Sequence, residues 1–209
     1  DFQPLSWIAL YLALNHFLGW FTSVTADLGA YSPGANDNAS AMGTVLALAE
    51  RLQTQPLQHT EVTLAFTGCE ETGCDGMITF IREGRQKYQE ALFLDFELVG
   101  TGDQLVYLSQ EGTLRKKRIP AEVKALVEQV GRDFELRAYG NMPSGTFTET
   151  GTVWEYGLKG VTLVAKYKDK PSLPEWHRLT DVPSRLQAGT LARVHALAWE
   201  ILQKIDSAR

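Results

Sequence analysis

The sequence predicts an α/β fold of three layers, a mostly parallel mixed sheet flanked by helices. Two observations carry this. Short apolar segments of strand type, such as Val161-Thr162-Leu163-Val164-Ala165, alternate with longer segments whose apolar residues recur at helical spacing. Acidic residues gather where predicted strands end and turn, and sites in such sheets form at the C-terminal ends of strands. The 209 residues, 44% hydrophobic and 22% charged, suit one domain with a sizeable core. A formal net charge of −5 argues against a nucleic-acid partner. The one basic run, Arg115-Lys116-Lys117-Arg118, reads as a solvated loop. Cys69 and Cys74 are the only cysteines and build no disulfide framework. Cys69 reads as a small hydrophobe packed beside a strand end, and a Cys69–Cys74 bridge depends on the turn between them.

Taken in order, the chain opens on an apolar stretch. Residues 2–26 contain no Asp, Glu, Lys or Arg, and the run from Leu5 to Phe21 approaches the ~17–25 residues of a membrane-spanning helix. Trp7 and Trp20 near its ends resemble an aromatic belt, whereas Asn15 and His16 inside it weigh against spanning. No basic stretch precedes it, as a secretory signal requires. The run is a membrane-inserted or interfacial segment, or a core or interface helix. Residues 1–31 are set apart as an N-terminal segment with membrane contact through residues 5–21, and 32–209 as the main domain. A membrane-associated or extracytoplasmic place is expected rather than a cytoplasmic one.

Gly34-Ala35-Asn36-Asp37-Asn38-Ala39-Ser40 is a polar, turn-prone run directly ahead of a helical pattern at Met42, Val45, Leu46, Leu48, Ala49 and Leu52. Gly34 permits a sharp turn, and Asn38 and Ser40 are N-cap candidates. Asp37 therefore sits at a helix N-terminus, where backbone N–H groups orient a carboxylate. A strand follows at Glu61–Thr67. Gly68-Cys69-Glu70-Glu71-Thr72-Gly73 ends it, and a helix runs from about Asp75 to Tyr88. At a strand end that turns, both glutamates can face one cleft, where they repel unless a cation or a shared proton intervenes. One Glu as ligand beside one as base is an arrangement of metal hydrolases.

Ala91–Phe96 is the next strand, and Asp95 within it is costly to bury unless paired or metal-bound. Further strands are read at Gln104–Ser109 and Glu135–Tyr139, with a helix after Pro120 between them. Asn141–Thr146 reads as a loop, Thr148–Tyr156 as a short helix, 161–165 as a buried strand and Leu186–Ile205 as a closing helix. His177 follows Glu175-Trp176 in a loop-like region, and neutral imidazole is a common metal ligand. Tyr139, Phe147 and Trp176 are offered as a side-chain pocket lining. Glu149 is read as a helix N-terminal charge that can also meet a substrate amine.

In this order GANDNASAMG, GCEETGCDG, FLDFELVG and WHRLTD resemble the four motifs of the co-catalytic zinc aminopeptidases, a family that extends to glutaminyl cyclases. The resemblance runs from about Ser32 to Ala208. It implies a zinc-exopeptidase-like fold and a zinc-dependent aminopeptidase acting on peptides. It also implies that Asp37 bridges two metals, Glu70 is the general base, Glu71 and His177 bind one metal, and Asp95 binds the other. The peptide bond after the bridging Asp is often cis in the family, which implies a cis Asp37–Asn38 bond here. The family's upstream His-x-Asp motif has no counterpart here, since His16 lies in an apolar run and His59 and His195 fall downstream. The expectation is a fragment that lacks one ligand, with two zinc ions in an intact site and one in this chain. A glutaminyl cyclase-like acyltransferase using one zinc and a non-catalytic interaction or receptor-type relative are the other readings. The oligomeric state is left open.

Overall fold

The computed structural model describes residues 3–25, 28–112, 115–140 and 147–208. The chain falls into two units, Asp1–Ser32 and Pro33–Arg209. The first holds one helix, α1 (Gln3–Thr25), long and apolar enough to cross a membrane. Five of its polar side chains bond to carbonyls of the same helix. The Asn15 amide donates to Tyr11 O at 2.7 Å, and His16 Nδ1 lies 2.8 Å from Leu12 O. Thr22, Ser23 and Thr25 donate to carbonyls one turn back.

The second unit is built on a four-stranded sheet. Its strands are β1 (Leu92–Glu97), β2 (Gln104–Leu108), β5 (Arg137–Tyr139) and β6 (Lys159–Lys166), in the order β1-β6-β2-β5. β6 runs parallel to β1 and antiparallel to β2, and β2 is parallel to β5, so the sheet is mixed and mostly parallel. β6 is buried from Gly160 to Lys166, as expected of a central strand covered on both faces. A two-stranded ribbon, β3 (Gln110–Glu111) with β4 (Lys117–Arg118), stands apart.

The flanking helices are α2 (Ser40–Thr54), α3 (Asp75–Glu83), α4 (Ala121–Val130), α5 (Glu149–Glu155) and α6 (Ala188–Asp206). Both α2 and α4 pack on α6, and α3 packs on α5. Alternation along β2 and β6 divides their side chains between two cores. Leu105, Tyr107, Leu163 and Ala165 join the helices, while Val106, Leu108 and Val164 join Leu98 and Leu173 in a smaller core.

The structure departs from expectation at several elements. Residues 61–67 form no strand, because no neighbouring strand pairs with them among the described residues. The helix expected to reach Tyr88 ends at Glu83, where Gly84 lets the chain fold back and stack Tyr88 on Phe80 with ring centroids 4.8 Å apart. Lys117 and Arg118 belong to β4 rather than a solvated loop, and Lys117 Nζ donates to Trp154 O. Tyr139 and Trp176 pack on the smaller core and Phe147 on the larger, so they do not form a common pocket. The loop read at Asn141–Thr146 lies outside the described residues.

Candidate metal centre

Gly34, at φ 71°, starts a tight turn, Ala35–Ala39, that runs straight into α2. The Asp37–Asn38 peptide is cis. The expected side-chain cap is absent, because Ala39 N–H donates to Gly34 O and Ser40 N–H to Ala35 O. The polar side chains pin the turn instead. The Asn36 amide donates to Pro174 O at 2.9 Å and accepts from Gly100 N–H at 2.8 Å. The Asn38 amide donates to Phe96 O at 2.9 Å, tying the turn to the end of β1. Ser40 Oγ donates back to Asn36 O. From the far end of the chain, the buried Asp181 carboxylate accepts the backbone N–H of Asn36 at 2.6 Å and of Asp37 at 3.0 Å.

Residues 68–76 make the second turn. Gly73 and Cys74 N–H both donate to Glu70 O, and Gly76 N–H donates to Gly68 O. A Cβ on Gly76 would stand 2.3 Å from Gly68 O, so only glycine lets the start of α3 close on the turn. Both glutamates reach the cleft. Glu71 Oε1 lies 3.0 Å from His177 Nε2, and Glu70 Oε1 lies 3.9 Å from Cys74 Sγ. Both cysteines are free. Cys74 is buried, but Cys69 sits exposed at φ 59° on the turn rather than packed beside a strand.

The two turns meet the loop that carries His177. Ligand atoms of Asp37, Glu71 and His177 lie within 4.8 Å of one another. Two carboxylates and one imidazole are a donor set suited to zinc. Asp95 is not part of this group. Its Oδ2 accepts from Thr162 Oγ1 at 3.0 Å and Thr150 Oγ1 at 3.4 Å, and its Oδ1 from Phe96 N–H. The structure thus gathers three of the four expected ligands and ties the fourth to hydroxyls.

The surroundings are strongly acidic. Burial pushes Glu70 up to about 7, helped by Glu71, Glu149 and Asp37. Burial and then Glu149 push Asp95 up to about 7. Asp37 is raised by burial and Glu71, with His177 pulling the other way. Glu97 is held well above the usual carboxylate range by burial and by Asp95 and Glu70. Burial also raises Glu149, whose carboxylate accepts from Thr67 Oγ1. Carboxylates crowded this way call for a cation or shared protons.

One of these residues, Glu97, escaped the sequence reading. Glu97 follows Asp95 by two on β1 and so shares its face. That spacing was its available signal. Asp181, the last residue of WHRLTD, belonged to a quoted motif but was assigned no role, and the structure ties it to the Asp37 turn.

Comparison with known proteins gives a consistent picture. The model of peptidase family M28 matches residues 19–202. No curated protein gives a match. Among solved structures, the zinc aminopeptidase BSAP of Bacillus subtilis is 19% identical with a TM-score of 0.69, over 85% of this chain and 43% of that one. An aminopeptidase from Aneurinibacillus sp. strain AM-1 is 18% identical with a TM-score of 0.64, over 82% and 39% of the two chains. A glutaminyl cyclase of an Acidobacteriales bacterium is 14% identical with a TM-score of 0.60, over 84% and 63%. The chain spans less than half the length of these two aminopeptidases.

Proposed function

The chain belongs to peptidase family M28, and from that premise we propose that it acts as a zinc-dependent aminopeptidase, removing N-terminal residues from peptides. The observation that carries this reading is the convergence of Asp37, Glu71 and His177, with Glu70 facing the same cleft. The donor set fits zinc: the carboxylates supply the charge that holds a divalent cation, and His177 supplies the nitrogen. Held by Asp37, Glu71 and His177, zinc would supply Lewis-acid polarisation of the scissile carbonyl. Glu70 takes the proton of the attacking water and hands it to the leaving amine. The turn bonds from Asp181, Asn36 and Asn38 orient Asp37, a positioning role. The surplus acids Glu97 and Glu149 line the same cavity and favour a substrate whose reacting end is cationic, which supports removal of residues from the N-terminus.

One zinc ion per chain fits this arrangement, since Asp95 brings only oxygen and its oxygens already accept from hydroxyls and a backbone N–H. Peptides with free and acetylated N-termini test the activity. The expected result is release of the first residue from the free peptide alone, lost with chelator and restored by zinc. Equal cleavage of both peptides, or cleavage unaffected by chelator, refutes the reading.

The second part of the proposal concerns α1, which we read as a bilayer anchor. At 23 residues it is about 34 Å long, against a hydrocarbon core of ~30 Å. Its Asn15, His16, Thr22, Ser23 and Thr25 side chains bond to carbonyls of the same helix, which lowers the cost of placing them in lipid. Flotation with neutral phosphatidylcholine vesicles should carry the whole chain and leave behind a chain lacking residues 3–25. If both remain in the dense fractions, α1 is not an anchor.

A further inference from the structure

His177 enters the candidate centre from a strained loop. Its backbone is left-handed, at φ 53°, and so is that of Glu175, at φ 60°. Neither is glycine, and such backbone persists only where the surroundings fix it. The loop is closed on itself. Arg178 N–H donates to Glu175 O, Asp181 N–H to Arg178 O, and Thr180 Oγ1 to the Glu175 carboxylate. The backbone N–H of His177 lies against the Asp37 carboxylate. These bonds fix where the residue stands but leave the two torsions of its side chain free. The ring nonetheless has a definite aim, with Nε2 3.0 Å from Glu71 Oε1 and 3.7 Å from Asp37 Oδ2. In most metal sites a hydrogen bond at the second ring nitrogen provides that aim. Here Nδ1 has no such partner among the described residues, and the side chain is half exposed. The indole of Trp176 lies against the imidazole instead, with ring centroids 4.4 Å apart and planes tilted by 36°. The same indole packs on the smaller core of Leu98, Val106, Leu108, Val164 and Leu173.

We infer that Trp176 is a positioning residue of the centre: its indole, gripped by the smaller core, holds the face of the His177 imidazole so that Nε2 points at the metal. This rests on the zinc-binding reading of Asp37, Glu71 and His177 given above. The lone pair of Nε2 lies in the plane of the ring, so a turn about the outer side-chain torsion swings it away from the metal. A flat neighbour against the ring face blocks that turn and leaves both nitrogen edges free. Packing that locks the rotamer of a ligand is the same service that a hydrogen bond at Nδ1 performs elsewhere. The strain in the loop has its reason in this contact. In an extended segment side chains 176 and 177 would point to opposite faces. The left-handed backbone at His177 brings the two rings together, and the bonds that close the loop keep it there. A leucine at 176 would still cover the smaller core but would offer the imidazole no flat face, whereas a phenylalanine offers both.

Two measurements on the whole chain test this, neither of them hydrolysis. The first is zinc affinity by competition with a chelator. Trp176→Leu should lose about 10–100-fold, the usual effect of removing a group that orients a ligand, while Trp176→Phe should bind like the parent. A variant that is less stable but still folded by circular dichroism gives a valid reading, since lost stability alone does not change the affinity of folded molecules. The second is the NMR spectrum of the four histidines in the zinc-free parent, with His177 assigned by its loss in His177→Ala. The ring protons of His177 should lie upfield of those of His16, His59 and His195, because they sit in the ring current of the indole. This measurement needs neither zinc nor a folded variant. Three results overturn the inference: Trp176→Leu binding zinc as tightly as the parent, the Leu and Phe variants losing affinity equally, or His177 ring protons that fall among those of the other histidines. A parent chain that takes up no zinc counts against the proposed function instead, and the ring-proton shifts then decide whether the indole holds the imidazole.

Discussion

Replacing Asp181 by alanine should loosen the Asp37 turn without touching any group in the cleft. The native carboxylate accepts two backbone N–H bonds, at 2.6 and 3.0 Å, and is completely buried. Bonds to a charged acceptor each contribute about 1.5–3 kcal/mol, and the two stranded N–H groups add to the cost. Both bonds share one side chain, so they do not simply add. A loss of about 3–5 kcal/mol follows, a large part of the ~5–15 kcal/mol that holds a typical domain folded. Asp181→Asn keeps one acceptor oxygen but turns an amide N–H toward a backbone N–H, and should lose roughly half as much. Because Asp37 is held through its own backbone N–H, zinc affinity should also fall, by about 10–100-fold as for other groups that orient a ligand. Urea unfolding of the zinc-free chain, followed by tryptophan fluorescence, gives the first quantity, and competition with a chelator gives the second. If Asp181→Ala unfolds within ~1 kcal/mol of the parent and binds zinc equally well, the positioning argument is wrong.

Glu70→Gln should keep zinc and lose about 10²–10⁴-fold in peptide hydrolysis, the usual contribution of a general base. Glu71→Gln and His177→Ala should instead lose zinc, measured by metal analysis after dialysis; the reverse pattern would exchange the roles of the two glutamates. Metal analysis of the parent chain should return one tightly held zinc, and two would mean that Asp95 leaves its hydroxyl partners to ligate. The pH dependence has a definite sign. Glu70 and Asp95 are raised to about 7, and Glu97 and Glu149 are raised as well. The folded chain therefore holds protons that the unfolded chain has released between about pH 4 and pH 7, and the zinc-free protein loses stability as pH rises through that window. Its melting midpoint should be higher at about pH 5 than at about pH 7.5, and added zinc should raise the midpoint more at the higher pH. A zinc-free midpoint that rises with pH contradicts the crowding of these acids.

Residues differed in how much of their role could be read in advance. The periodicities of β6, α4 and α6 depend on their own side chains, so these elements fall within two residues of their expected bounds or extend slightly past them. Residues 61–67 have the same kind of alternation as β6, but strand structure requires a neighbour, and alternation does not say whether one is present. The end of α3 was hidden because Tyr88 leaves the helix to stack on Phe80, a tertiary choice. Asp37, Glu71 and His177 stood out as polar residues in turns, and the fold does bring them together. Asp95 stood out equally, as an acid in an apolar strand, but its hydroxyl partners Thr150 and Thr162 lie 55 and 67 residues away. The role of Asp181, the last residue of WHRLTD, was hidden because its partners are backbone N–H groups, which any sequence contains.

The contact between Asp181 and the Asp37 turn also sets an order of events in biogenesis. It joins positions 145 residues apart, and His177 reaches Glu71 across 106. Closing a loop of the larger size costs roughly 4 kcal/mol of chain entropy, which no local interaction in a nascent Asp37 turn offsets. While the ribosome still holds the chain upstream of His177, Asp37 and Glu71 have already emerged but their imidazole partner has not. The centre is then a late product of synthesis, assembled when the sheet and α2 are in place, and a polypeptide released early by a premature stop before Asp181 carries the acids without the geometry.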